Sequence, residues 1–233
     1  MSNRNIGFGY LIIIRAFPIF DKGFLTIGKI LAFSVVSCYT DVKTNTKEGL
    51  PMSHPIYVIA SDIHGSAFFA QELLEAFERE GADELLLLGD ILYHGPRNAL
   101  PLGYNPKKVI EMLNPLADKI TCVRGNCDAE VDQMVLDFPL MADYRTVSVE
   151  GETLFLTHGH LEGLPIEAGY IVLQGHTHVP LCEHKPGGWW LLNPGSVSIP
   201  KENSPHSYLL LKDGTFYWKT LGGETYRTAP MFG

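Results

Sequence analysis

The chain has 233 residues, 45% hydrophobic and 19% charged, a balance that fits a globular protein and excludes a disordered or low-complexity one. Its net charge of -8 excludes a surface built to coat nucleic acid, which needs clustered Lys and Arg, but allows phosphate chemistry if metal cations supply positive charge locally. The four cysteines, Cys38, Cys122, Cys127 and Cys182, form no CxxC pair and no disulfide-scaffold spacing, so a reduced, cytoplasmic chain is expected.

Residues 1–51 mix short apolar bursts, Tyr10 to Ile14 and Ile30 to Val36, with scattered charges, and keep neither a strand nor a helix period. The bursts fall far short of the roughly twenty residues of a spanning helix, so no membrane segment is expected. Met52 stands just before the first predicted strand, and residues 52–233 make a single-domain length; residues 1–51 are therefore read as a spurious or disordered extension. A competing reading takes Val35-Val36-Ser37-Cys38 as a lipoprotein signal flanked by Lys29, with the chain anchored through Cys38.

The domain begins with Ile56 to Ile59, a β-branched apolar run that reads as a buried strand and ends in Ser61-Asp62-Ile63-His64-Gly65. Ser66 to Gly81 predicts a helix capped by Ser66 and stopped by Gly81, with Phe69, Leu73, Leu74 and Phe77 on one face. Leu85 to Leu88 is a strand buried on both faces and ends in Gly89-Asp90, completing a βαβ unit. The Pro/Gly/Asn-rich stretch Ile91 to Pro106 is a loop long enough to be a pocket wall carrying His94, Arg97 and Asn98.

A second helix is expected over Pro106 to Leu116 and a third strand over Ile120 to Val123, ending in Arg124-Gly125-Asn126-Cys127-Asp128. After a short helix near Glu130 to Val135, a hairpin joins Arg145 to Val149 with Thr153 to Leu156, which ends in Thr157-His158-Gly159-His160. Tyr170 to Leu173 ends in Gln174-Gly175-His176-Thr177-His178, and Trp189 to Leu192 ends in Asn193-Pro194-Gly195-Ser196. Asp213-Gly214 predicts a tight turn between Ser207 to Leu211 and Thr215 to Thr220. From Gly222 the sequence carries no pattern and is expected to be a disordered tail.

Collected in order, the strand-end groups are Asp62, His64, Asp90, Asn126, His158, His176 and His178. Parallel or mixed sheets bring such termini to one edge, where α/β folds place their ligands. The nitrogen and oxygen donors suffice for two divalent cations and suit Mn, Fe, Co or Zn better than Ca.

Asp-x-His, Gly-Asp, Gly-Asn-Cys-Asp, a strand-end His and Gly-His-x-His, in this order, resemble the calcineurin-like metallophosphoesterase superfamily over Met52 to Lys201. The HGPRNALPLGY loop, the VRGNCDAEVDQM segment and NPGSVSIPK are similar to the YfcE-type branch of bacterial phosphodiesterases. The resemblance implies an α/β fold, a four-layer αββα sandwich with two stacked mixed β-sheets flanked by helices. It also implies hydrolysis of a small phosphodiester by a hydroxide bridging two metal ions, with Mn first and Zn, Fe, Co or Ni as alternatives. Asp62, His64 and His178 would hold one ion and Asn126, His158 and His176 the other, with Asp90 bridging them.

The expected catalytic residues are Asp90, Asn126, Cys127 and Arg124, with Arg97 as a further candidate for phosphate contact. Most of the superfamily carries His where this chain has Cys127. A neutral thiol is a weaker acid, so activated diesters should be preferred, with His160 and His94 as candidate acids. A homo-oligomer is compatible with the sequence. Two other functions compete with the enzyme. One is a catalytically weak protein-interaction scaffold, since the retromer subunit resembles this fold; the other is a nuclease of the same superfamily, which the negative charge disfavours.

Overall fold

The computed structural model of the chain describes residues 54–231, and the readings made for residues 1–51 lie outside them. Strand β1 (Tyr57–Ala60) leads through α1 (Ala67–Glu80) to β2 (Glu84–Leu87). Next come α2 (Pro106–Leu113), a 3-10 helix (Asn114–Lys119), β3 (Ile120–Cys122) and the single turn α3 (Glu130–Gln133). The strands that follow are β4 (Tyr144–Val149), β5 (Glu152–Thr157), β6 (Ile171–Gln174), β7 (Leu181–His184), β8 (Trp190–Asn193), β9 (Ser207–Lys212), β10 (Thr215–Thr220) and β11 (Thr225–Pro230).

These strands form two sheets, ordered β11-β10-β9-β1-β2-β3 and β4-β5-β6-β8-β7. Both are mixed. The first has β1, β2 and β3 in parallel and β9 antiparallel to β1; the second has β5, β6 and β8 in parallel with antiparallel edges β4 and β7.

Alternation along the strands assigns each side chain to a layer. Val58, Ala60, Leu85 and Leu87 pack on the helical side with Leu73, Phe77, Val109 and Leu113. Tyr57, Ile59, Leu86 and Leu88, with Trp218 of the same sheet, face the second sheet and meet Leu154, Leu156, Ile171 and Leu173. Both faces of the first sheet are therefore buried, which is why its parallel strands read as unbroken apolar runs. Helix α1 is bounded as expected: the Ser66 hydroxyl accepts the Phe69 N–H at 3.2 Å, and Gly81 takes the left-handed φ of 63°.

The structure corrects two local expectations and adds a strand. Helix α2 stops at Leu113, and a 3-10 helix follows, because Pro115 has no N–H to continue the α-helical ladder. The stretch from Gly222 is not a loose tail: β11 pairs antiparallel with β10, and the Arg227 guanidinium lies 4.9 Å from the Trp218 ring. Strand β7 is an edge strand that no alternation announces, since none of its residues is buried. On the outer face of the second sheet, Phe155, Val172 and Leu191 are covered by Leu164 and Ile166 of a loop.

Candidate metal centre

All seven strand-end groups reach one edge of the stacked sheets, at the exits of β1, β2, β3, β5 and β6. Asp62, His64, Asp90, His176 and His178 have φ between 48° and 67°. For a residue with a Cβ this left-handed conformation costs about 1–3 kcal/mol and persists only where surrounding contacts dictate it. Here the loops dictate it by bonding one another. The His64 N–H donates to the Asp90 carbonyl at 2.9 Å, and the Asp62 N–H donates to the Gly89 carbonyl at 3.1 Å. A Cβ on Gly125 would overlap the Asp90 carboxylate, so only glycine lets the β3 exit lie against the β2 exit.

The side chains gather in two triangles. His64 Nε2 lies 3.6 Å and His178 Nε2 3.3 Å from Asp62 Oδ1, and the two nitrogens are 3.4 Å apart. Asn126 Oδ1 lies 3.0 Å from His158 Nε2 and 2.7 Å from His176 Nδ1, and those two nitrogens are 3.3 Å apart. A single oxygen, Asp90 Oδ2, stands between the triangles, 3.6 Å from His64 Nε2 and 3.5 Å from His158 Nε2. The arrangement matches the grouping implied by the family resemblance.

Backbone carbonyls aim three of the rings. Nδ1 of His64 meets the Tyr93 carbonyl at 2.8 Å, Nδ1 of His158 meets that of Leu88 at 2.7 Å, and Nδ1 of His178 meets that of Ile199 at 2.6 Å. A carbonyl only accepts, so each Nδ1 carries a proton and each Nε2 is left to face inward, where it binds either a proton or a metal ion. Burial works against charge on His158, but Asp90 and Asp62 outweigh it and push its pKa up to about 9. The same negative potential favours any cation at this point.

Asp62 Oδ1 supplies the test of fit. It is fully buried and has no hydrogen-bond partner, although an unpaired buried carboxylate oxygen is strongly disfavoured. It also faces the inward Nε2 atoms of His64 and His178. Hard oxygen and imidazole nitrogen around one point fit a divalent cation.

The cavity over this centre has a volume of about 250 Å³ and is lined by His64, Asp90, Asn126, Cys127, His176 and His178, with Gly95, Pro96, Arg97, Asn98 and Lys201. The loop after β2 is thus the expected wall. Burial, followed by the nearby Asp90 charge, pushes the Cys127 thiol up to about 12.

Other candidates stand apart from this cavity. The Arg124 guanidinium pairs with Asp143 at 3.0 Å and is not among the lining residues. The His94 ring packs edge-on to Tyr93 and Tyr104 and is also outside the lining. His160 lies behind His158, with ring centroids 5.4 Å apart, and burial followed by the His158 charge lowers its pKa.

Several supporting residues escaped the sequence reading. The Asp128 carboxylate accepts the N–H groups of Asp90, Ile91 and Gly125 at 2.7–2.9 Å and joins the β2 and β3 exits. Ser196 and Ser198 both donate to the Asp62 carbonyl, at 3.1 and 3.0 Å, and brace its left-handed turn. Lys201 sits beside His178. The available signal was the segment NPGSVSIPK, in which Ser196-Val197-Ser198-Ile199 alternates just after a buried strand.

Comparison with known proteins agrees with this geometry. The calcineurin-like phosphoesterase superfamily domain profile matches residues 56–214. Phosphodiesterase YfcE of Escherichia coli K12 is 52% identical over 158 residues, covering 66% of this chain and 85% of that protein. The solved structure of the E. coli phosphoesterase YfcE superposes with a TM-score of 0.72 at 46% identity, over 76% of this chain and all (100%) of that one. Vps29 of Entamoeba histolytica in complex with Zn2+ shares the fold alone, with a TM-score of 0.53 and 20% identity over 76% of this chain and 99% of that one.

Proposed function

The chain belongs to the calcineurin-like phosphoesterase superfamily, and from that membership we propose that it is a dinuclear, metal-dependent phosphodiesterase acting on a small phosphodiester. One observation carries the reading: the two donor triangles share Asp90 Oδ2 between them. Asp62, His64 and His178 would hold one divalent cation, Asn126, His158 and His176 the other, and Asp90 would contribute to both. Mn is the first choice and Zn, Fe, Co or Ni the alternatives, as suits mixed imidazole and oxygen donors. Bound there, such ions lower the pKa of water and neutralise charge on phosphoryl oxygens.

The chain's own residues set the substrate. A cavity of about 250 Å³ suits a small ester. Cys127 lines it with a thiol that stays protonated near neutral pH, able to donate a hydrogen bond but a poor proton source for a departing alkoxide. Diesters with good leaving groups are therefore favoured over alkyl monoesters. Asp143 engages Arg124, which leaves Arg97 as the arginine of the cavity wall. The free thiols Cys122, Cys127 and Cys182 suit a cytoplasmic setting, and no helix among the described residues is long and apolar enough to cross a membrane.

The scaffold reading is weaker because a scaffold has no use for an orphaned Asp62 oxygen or for inward-aimed ring nitrogens. The test is hydrolysis of bis-p-nitrophenyl phosphate by metal-stripped protein reloaded with Mn, Mg, Zn or Ni in turn. Activity should return with a transition metal and fall by about 100-fold or more in Asp90→Asn. A folded protein inactive with every metal would overturn the reading.

A further inference from the structure

Two cations line the cavity without belonging to the ligand set. Arg97 and Lys201 reach it from different loops, one after β2 and one after β8. Four other cations among the described residues pair with carboxylates, Arg79 and Lys219 with Glu80, Arg124 with Asp143 and Lys185 with Glu183, while outer-surface lysines such as Lys107, Lys108 and Lys212 stay solvated. Arg97 and Lys201 have no such partner among the described residues.

The backbone beneath each of them is pinned to the metal-binding loops. Arg97 sits in a turn closed by Asn98, whose N–H donates to the Gly95 carbonyl at 3.3 Å and whose side-chain amide donates to the His94 carbonyl at 2.8 Å. That turn abuts Cys127: a Cβ on Gly95 would come within 3.1 Å of its sulfur. The Lys201 N–H donates to the His178 carbonyl at 3.3 Å, and the Lys201 carbonyl accepts both the N–H and the hydroxyl of Ser204, at 3.0 and 2.6 Å. The backbone that carries both cations is therefore held over the site.

A phosphodiester carries one negative charge, and the proposed cations of the ligand set already answer it. A neutral or zwitterionic remainder would leave the exposed Arg97 and Lys201 charges to water alone. An anionic remainder would match them, and a guanidinium fork suits carboxylate or phosphate oxygens. We propose that the substrate is a small phosphodiester with a second anionic group, carboxylate or phosphate, on one ester arm, held by Arg97 and Lys201. The proposal rests on the phosphodiesterase reading and names its substrate class.

The test compares 4-nitrophenyl 4-carboxyphenyl phosphate with its 4-carbamoyl analogue, nearly equal in size and different in one charge. The Mn-loaded full chain should favour the carboxylate in kcat/KM by roughly fivefold at low salt, less as salt rises. The preference should fall to about one in the Arg97→Gln, Lys201→Gln double variant, and a 4-phosphono analogue shows whether phosphate is preferred to carboxylate. Equal rates for the two esters, or a preference that survives the double substitution, would overturn the proposal while leaving the phosphodiesterase intact. Turnover of neither ester counts against the phosphodiesterase itself. Calorimetric binding of phosphonoacetate against ethylphosphonate then decides the anion site separately: tighter phosphonoacetate binding that the double variant abolishes supports it, and equal binding sinks it.

Discussion

The Asp128 carboxylate accepts the Asp90 N–H at 2.8 Å, so the residue proposed to lie between two metal ions is held by a buried acid that touches neither ligand triangle. The same oxygen accepts the Gly125 N–H and the other oxygen accepts that of Ile91. Three donors converge on two oxygens, a load a carboxylate can carry and an amide cannot, because one side of an amide is itself a donor.

Asp128→Asn should therefore set an NH2 group against a backbone N–H and destabilise the fold by about 1–3 kcal/mol. It should also lower metal affinity by tenfold or so, the scale typical of groups that position ligands. Chemical denaturation and metal titration measure the two effects. A variant with unchanged stability and affinity would show that the two strand exits hold their places without this acid.

Cys127→His places a stronger proton donor at the cavity wall, next to Asn126. The rate on p-nitrophenyl phosphate relative to bis-p-nitrophenyl phosphate should rise by roughly tenfold, within the range of general-acid contributions. Steady-state kinetics on the two esters give the ratio. No change, or a fall, would mean that leaving-group protonation does not limit this enzyme.

Glu80 lies far from the metal centre and provides a pH test of the fold. Burial raises its pKa, but hydrogen bonds from Lys219 at 2.5 Å and Tyr208 at 2.6 Å outweigh burial and bring it below its ordinary value of 4.5. A carboxyl depressed in the folded state stabilises fully above the unfolded value and loses that contribution as pH falls through the folded one. The stability gap between the wild type and Glu80→Gln should thus be constant near neutral pH and close as pH drops below 4.5. Urea denaturation at several pH values reads the gap; a gap independent of pH would remove the Lys219 contact from the account.

The clustering of the seven strand-end groups was legible because each ends an apolar strand, and strand ends are visible as the point where a buried run meets Asp, Asn or His. The βαβ unit and α1 were legible for similar reasons, through Ser66, Gly81 and the uninterrupted Leu85 to Leu88. Strands β7 and β11 were not: LCEH and TYRTAP are edge strands that bury almost nothing, so no hydrophobic period marks them. The roles of Asp128, Ser196 and Ser198 were hidden because each acts on the backbone of a residue distant in sequence. Arg124 looked like a phosphate contact beside Asn126, and only the fold brings Asp143 to it.

Equilibrium binding of Mn2+ to the metal-stripped protein tests the central claim most directly. The account predicts two ions per chain, one ion in His178→Ala or His176→Ala, and weakening of both in Asp90→Asn. Saturation at a single ion, or two-ion binding that ignores Asp90→Asn, would contradict a dinuclear centre built around Asp90.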